Sequence, residues 1–174
     1  MLQLGGFPTN SGQPAQANQL RPTNSGQPAQ EVTVPEITGG CLCGAIRYAI
    51  DAAPLGGGYC HCRDCQYRSG GGPAAVIALP RIRYRLTRGS PQPYWSESDR
   101  GVRVARFFCP VCGAGISALN ENNPEIIPIC VGSLDDPSIF KPVAHIWTRS
   151  AQPWHRIDRT LARFDADPVS TRNE

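Results

Sequence analysis

Eight cysteines in a chain of 174 residues constrain this sequence more than any other feature, because seven of them fall in three tight clusters. The clusters are Cys41-Leu42-Cys43, Cys60-His61-Cys62-Arg63-Asp64-Cys65 and Cys109-Pro110-Val111-Cys112. Thiols spaced so closely serve either disulfides or a metal. A disulfide framework belongs to secreted chains, and the opening MLQLGGFPTN has neither the basic region nor the apolar run of a signal peptide. A reduced, cytoplasmic protein with zinc on its thiolates is the expectation.

Zinc is tetrahedral with Zn–S bonds of about 2.3 Å, so a closed site takes four thiolates, two from each of two chain segments. The doublets Cys41/Cys43 and Cys109/Cys112 supply such a set, and the glycines that follow them, Gly44 and Gly113, let the backbone wrap around an ion. The middle cluster differs. Cys60, Cys62 and Cys65 offer three thiolates and leave the fourth position to water or a ligand, the pattern of a catalytic zinc. Three thiolates outweigh a divalent ion by one charge, which makes that zinc a mild Lewis acid suited to sulfur chemistry.

Cys130 alone remains to close the middle site. In the run Ile126-Ile127-Pro128-Ile129-Cys130-Val131 a period of two sets it opposite Ile129 and Val131, where it is expected to act as a small apolar residue. No neighbour in sequence lowers its pKa, so it is not read as a nucleophile. His61, between two ligands, is expected to point away from the ion as a partly exposed spacer. His145 and His155, near Trp147 and Trp154, are expected to pack on aromatic rings. Arg63 and Arg68 flank the middle cluster as solubilising residues with the capacity to engage a carboxylate of a peptide-like thiol.

Other classes find little support. The net charge is +3 and the basic residues are scattered, so nucleic-acid binding is not expected. No stretch approaches the roughly 20 apolar residues that cross a bilayer. The unit PTNSGQPAQ occurs at Pro8–Gln16 and again at Pro22–Gln30, within a polar, nearly uncharged segment that cannot bury enough surface to offset its ordering entropy. Residues 1–35 are therefore expected to be a disordered tail.

Beyond it, 45–50 and 102–107 alternate as half-buried strands do, 74–79 is apolar, and 82–86, 126–131 and 145–147 are short runs bounded by turn residues. Gly, Pro, Asp and Ser recur too often for long helices. The class is mainly β, with the domain expected over 36–158 and a tail over 159–174. Ile157, Leu161 and Phe164 fall at i, i+4 and i+7, marking either a short terminal helix or no regular element.

The clusters with their flanks resemble the glutathione-dependent formaldehyde-activating (GFA) family, whose zinc domain also occurs in centromere protein V. Four pieces carry the resemblance in the family's order: Gly39-Gly40-Cys41-Leu42-Cys43-Gly44, Cys60 to Cys65, Phe107 to Gly113, and Gly132-Ser133-Leu134-Asp135-Asp136-Pro137. It implies a β-tent fold of packed, irregular antiparallel sheets. It also implies a structural zinc on Cys41, Cys43, Cys109 and Cys112 and a catalytic one on Cys60, Cys62 and Cys65. The implied activity is that of a carbon–sulfur lyase, or the reverse condensation, on a small thiol-linked substrate such as a glutathione adduct of formaldehyde. The Cys130 thiol, the repeated tail and the Gly70-Gly71-Gly72 run depart from the family pattern, and the last implies a flexible loop behind the middle cluster. Asp135 and Asp136 match it, although an Asp-Pro turn explains them without catalysis. The alternative to an enzyme is a zinc-stabilised module that recruits a protein partner.

Overall fold

Strands form here wherever side chains alternate between two faces, and turns of Gly, Pro and Asp cut them short. A computed structural model describes residues 35–168; the tail expected over 1–35 lies outside them except for Pro35, as do residues 169–174. In chain order the elements are β1 (Ile37–Gly40), β2 (Arg47–Ile50), β3 (Gly56–Cys60), α1 (Arg63–Arg68), β4 (Ala74–Pro80), β5 (Tyr84–Arg88), β6 (Gln92–Glu97), β7 (Arg103–Phe108), β8 (Gly115–Asn120), β9 (Ile126–Cys130), β10 (Ala144–Ile146) and β11 (Ala162–Arg163). The fold is mainly β, as the alternating runs require.

Strands β1, β2 and β5 pair as a three-stranded antiparallel sheet. The rest join one eight-stranded sheet in the order β11-β10-β3-β4-β9-β8-β7-β6. This larger sheet is antiparallel except at β10, which runs parallel to both β3 and β11. Its last strand lies beyond the Asp158 boundary expected from sequence, and no helix forms over Ile157 to Phe164. The Asp158 carboxylate accepts hydrogen bonds from the Thr160 amide (2.9 Å) and hydroxyl (2.7 Å), a local turn that competes with helix and releases the chain into β11.

One buried cluster fills the space between the sheets: Ile46, Tyr48 and Ile50 from the β2 region, and Ile77, Leu79, Ile116, Ile127 and Ile129 from β4, β8 and β9. Each such aliphatic side chain contributes roughly 1.5–3 kcal/mol by leaving water. Cys41 and Cys109 belong to the same cluster, so the outer cysteine pairs dock where the two sheets meet.

The period of two sends Arg106 of β7 and Cys130 of β9 to the other face of the large sheet, opposite Ala105 and Ile129. Helix α1 lies on that face, with Asp64 paired to Arg106 and Arg68 bonded to Cys130. The distant ends of the sheet also meet beside it. Arg149, which follows β10, pairs with Asp99 of the β6–β7 turn at 3.3 Å, and Arg149 and Arg100 lie over the Trp147 ring at 4.8 and 6.0 Å.

Candidate metal centres

The first centre is built from two similar turns. Strand β1 delivers Cys41 and β7 delivers Cys109, and each chain then doubles back: Gly44 N–H bonds Cys41 O at 3.0 Å, and Gly113 N–H bonds Cys109 O at 2.9 Å. Both turns close through a left-handed residue, and Gly44 and Gly113 supply it with φ of 74° and 75°. The sulfurs converge as a result. Cys41 Sγ lies 3.5 Å from Cys43 Sγ, which lies 3.8 Å from Cys109 Sγ, and with Cys112 all four fall within 4.8 Å of one another.

A tetrahedron of Zn–S bonds has edges of about 3.8 Å, so these spacings fit a zinc ion, and none of the eight cysteines is in a disulfide. Backbone amides support the sulfurs. Ile46 N–H donates to Cys41 Sγ at 3.2 Å, and the Ala114 amide helps to hold the Cys112 thiol down at about 6. Such donors favour the thiolates a metal requires.

The second centre is assembled around α1. Cys60 ends β3, Cys62 caps the helix, and Cys65 lies in its first turn, so the three sulfurs also fall within 4.8 Å of one another. Cys65 N–H points at Cys62 Sγ across 3.4 Å. Donation from Cys60 and Cys65 holds the Cys62 thiol far below its usual range, while Cys60 is pushed far above it by the Cys62 and Cys65 sulfurs and by burial. Three sulfurs this close cannot all ionise unless a cation replaces the shared protons. Among the described residues no fourth Cys, His, Asp or Glu joins this group.

Cys130 does not close it. Its Sγ accepts a hydrogen bond from Arg68 Nη2 at 3.2 Å, and burial pushes its thiol up. The expectation of an apolar role is corrected to this extent: the face is the one predicted, but α1 covers it and brings a polar partner.

Residues 36–150, more than half of the chain, match the glutathione-dependent formaldehyde-activating enzyme family. The chain belongs to this family. No curated protein matches it. Among solved structures, a Rhodobacter sphaeroides protein from a structural genomics programme aligns with a TM-score of 0.46 and 19% identity, over 73% of this chain and 98% of that one.

Around the second centre this GFA family member places groups that its sequence did not reveal. The Arg106 side chain, 11% exposed, pairs with Asp64 at 2.6 Å and donates to Ser96 Oγ at 2.6 Å, and its charge helps to keep Cys62 ionised. The Cys65 thiol is instead held above its usual range: donation from Cys60 lowers it, the Cys62 sulfur and burial outweigh that, and the Arg68 charge offsets only part of the rise. Arg63 bonds Gln66 and lies 5.2 Å from the Tyr67 ring centroid. With Gln66, Gly70 and Gly71 these residues line a cleft of about 300 Å³ that includes none of the clustered cysteines.

The histidines also depart from expectation. His61 avoids the metal group, as predicted for a spacer, but it is 0% exposed. Burial, with His145 and His155 adding to it, holds its ring down at about 4. His145 stacks on Tyr59 at 5.1 Å, not on Trp147, while His155 does meet the edge of Trp154 at 6.0 Å. The glycine run is tied by hydrogen bonds where flexibility was expected: Gly71 N–H bonds Gln66 O at 2.8 Å, Gly71 O accepts from His155 Nε2 at 2.8 Å, and Gly72 O accepts from Ser69 Oγ at 2.5 Å.

Asp136 is explained by its turn, capping the next residues through Ser138 N–H at 2.9 Å. Asp135 instead forms a two-pronged ion pair with Arg47 and accepts from Thr38 Oγ1 at 2.7 Å.

Proposed function

We propose that this chain is a zinc-dependent carbon–sulfur lyase, or the corresponding condensing enzyme, acting on a thiol–aldehyde adduct such as S-hydroxymethylglutathione. One observation carries the reading: the chain holds a complete four-sulfur set and, separately, a three-sulfur set that no other protein ligand completes among the described residues. In this reading Cys41, Cys43, Cys109 and Cys112 hold a structural zinc, and Cys60, Cys62 and Cys65 hold a second ion with one position open to substrate. Membership of the GFA family supports the choice of glutathione and formaldehyde.

A zinc ion on the second set would supply Lewis acidity toward a thiol sulfur or the oxygen of the hydroxymethyl group. The chain's own residues set the charge around it. Arg106 near Cys62 and Arg68 near Cys65 lessen the surplus negative charge of three thiolates and favour the approach of an anionic thiol. In the condensing direction the thiol sulfur bonds to the formaldehyde carbon, and the thiol proton ends on the carbonyl oxygen. In the lyase direction the hydroxyl proton returns to sulfur as the carbon–sulfur bond breaks, and nothing is oxidised or reduced. We place this activity in the cytoplasm; no helix among the described residues is long and apolar enough to cross a membrane.

The test compares the wild-type protein with Cys62→Ser in the reaction of formaldehyde with glutathione, following adduct exchange by NMR. The wild type should exceed the uncatalysed rate, and the variant should fall back to it. Equal rates above background would rule out zinc-assisted catalysis at this site.

A further inference from the structure

Three imidazoles lie end to end behind the three-sulfur cluster. His61 Nε2 meets His145 Nδ1 at 2.9 Å, and His61 Nδ1 meets His155 Nδ1 at 3.0 Å. The outer rings end on the backbone: His145 Nε2 faces the Asp158 amide at 3.1 Å, and His155 Nε2 faces the Gly71 carbonyl at 2.8 Å.

These ends fix every proton. A carbonyl only accepts, so His155 carries its proton on Nε2 and offers a lone pair at Nδ1, which also faces the Gln152 amide at 3.2 Å. His61 must then donate from Nδ1 and accept at Nε2, and His145 must donate from Nδ1 and accept the Asp158 amide at Nε2. One set of neutral tautomers satisfies the whole chain.

Two uses of clustered histidines are thereby excluded. His61 engages its neighbours through opposite ring nitrogens, so the three rings string out and do not converge on one ion. A proton relay would reverse every tautomer, setting a lone pair against the Gly71 carbonyl and an N–H against the Asp158 amide. Both ends are dead ends for a proton.

What remains is mechanical. The His61 backbone is bound as fully as its ring, with N–H on Ile146 O at 2.9 Å and its carbonyl accepting Gln66 Nε2 at 2.7 Å, so all four polar atoms of the residue are held. His61 is joined directly to Cys60 and Cys62, and three like-charged sulfurs repel one another. We infer that His145 and His155 are positioning residues for the Cys60, Cys62 and Cys65 centre, acting through His61 to hold the thiolates converged for a metal. This rests on the reading of that cluster as the second zinc site.

The experiment counts zinc on the intact purified chain by native mass spectrometry, against a graded zinc chelator. The wild type should carry two ions, the second being the more easily removed. His145→Leu should release that second ion at roughly 10–100-fold lower chelator concentration while keeping the first. His145→Asn, which keeps a donor at the Nδ1 position, should restore retention toward wild type. In cobalt-exchanged protein the visible bands of the second ion should change in His145→Leu and return in His145→Asn.

A wild type with two ions and a His145→Leu variant that retains both equally overturns this inference alone. A wild type that holds one ion overturns the proposed function as well. If His145→Leu loses both ions, the pair His155→Leu and His155→Gln decides in the same assay, because His155 is only partly buried and lies outside the strands. Selective loss of the second ion in His155→Leu supports the inference, and loss of both ions there overturns it.

Discussion

Arg106 shows how one side chain can support a candidate metal centre from outside its set of sulfurs. It is nearly buried, yet its guanidinium is spent on Asp64, Ser96 and the charge of Cys62. Arg106→Met keeps most of the volume and removes the fork, and we expect it to weaken retention of the second ion by about 10-fold in chelator competition. Arg106→Lys should recover only part of that loss, because an ammonium carries the charge without the planar pair of donors. Unchanged retention in the Met variant would remove Arg106 from the site's support. The clustered cysteines themselves were legible in sequence because their spacing is local information. Arg106 was not, since it read as one polar position in an alternating strand and its partner Asp64 is brought to it only by the fold. The same holds for His61, His145 and His155, whose hydrogen bonds span separations of 84 and 94 residues.

Among the elements, Asp135 ties the segment after β9 to the small sheet through Arg47 of β2 and Thr38 of β1. The Arg47 and Thr38 hydrogen bonds hold its carboxyl below the ordinary range. The sign follows directly. A depressed folded-state pKa contributes stability above the unfolded value of about 3.9, and that contribution disappears as pH falls through the folded value. Asp135→Asn should therefore lower the unfolding free energy measured by urea titration at pH 7 by less than about 1 kcal/mol, since the pair is 35% and 43% exposed and screened by solvent. The two proteins should converge at pH values below the folded pKa, and a difference that persisted there would assign the effect to packing. Strands β2, β4, β7 and β9 were readable because each presents one face to the core. Strand β3 was not, because Gly56-Gly57-Gly58 has no side chains to alternate. Its composition answers to a neighbour instead: a Cβ on Gly58 would come within 2.4 Å of Ala144 O on β10. Helix α1 spans only six residues inside the cysteine motif, too few for a periodic signal.

At the scale of the molecule, the four-sulfur centre joins the sheets, because Cys41 follows a strand of the small one and Cys109 a strand of the large one. A structural zinc contributes an apparent 10–16 kcal/mol, roughly, which matches or exceeds the 5–15 kcal/mol, roughly, by which whole domains are stable. Strong chelation under reducing conditions should accordingly abolish cooperative unfolding followed by circular dichroism, and Cys109→Ser should do so without chelator. A sharp urea transition in metal-free protein would show that the hydrophobic cluster suffices. Cys41 and Cys109 are buried at this joint, whereas Cys43 is exposed. An alkylating or oxidising reagent from outside thus meets the joint between the sheets first at Cys43 and next at the half-buried Cys112, and damage there would part the two layers before it reached the three-sulfur cluster on the far side of the larger one.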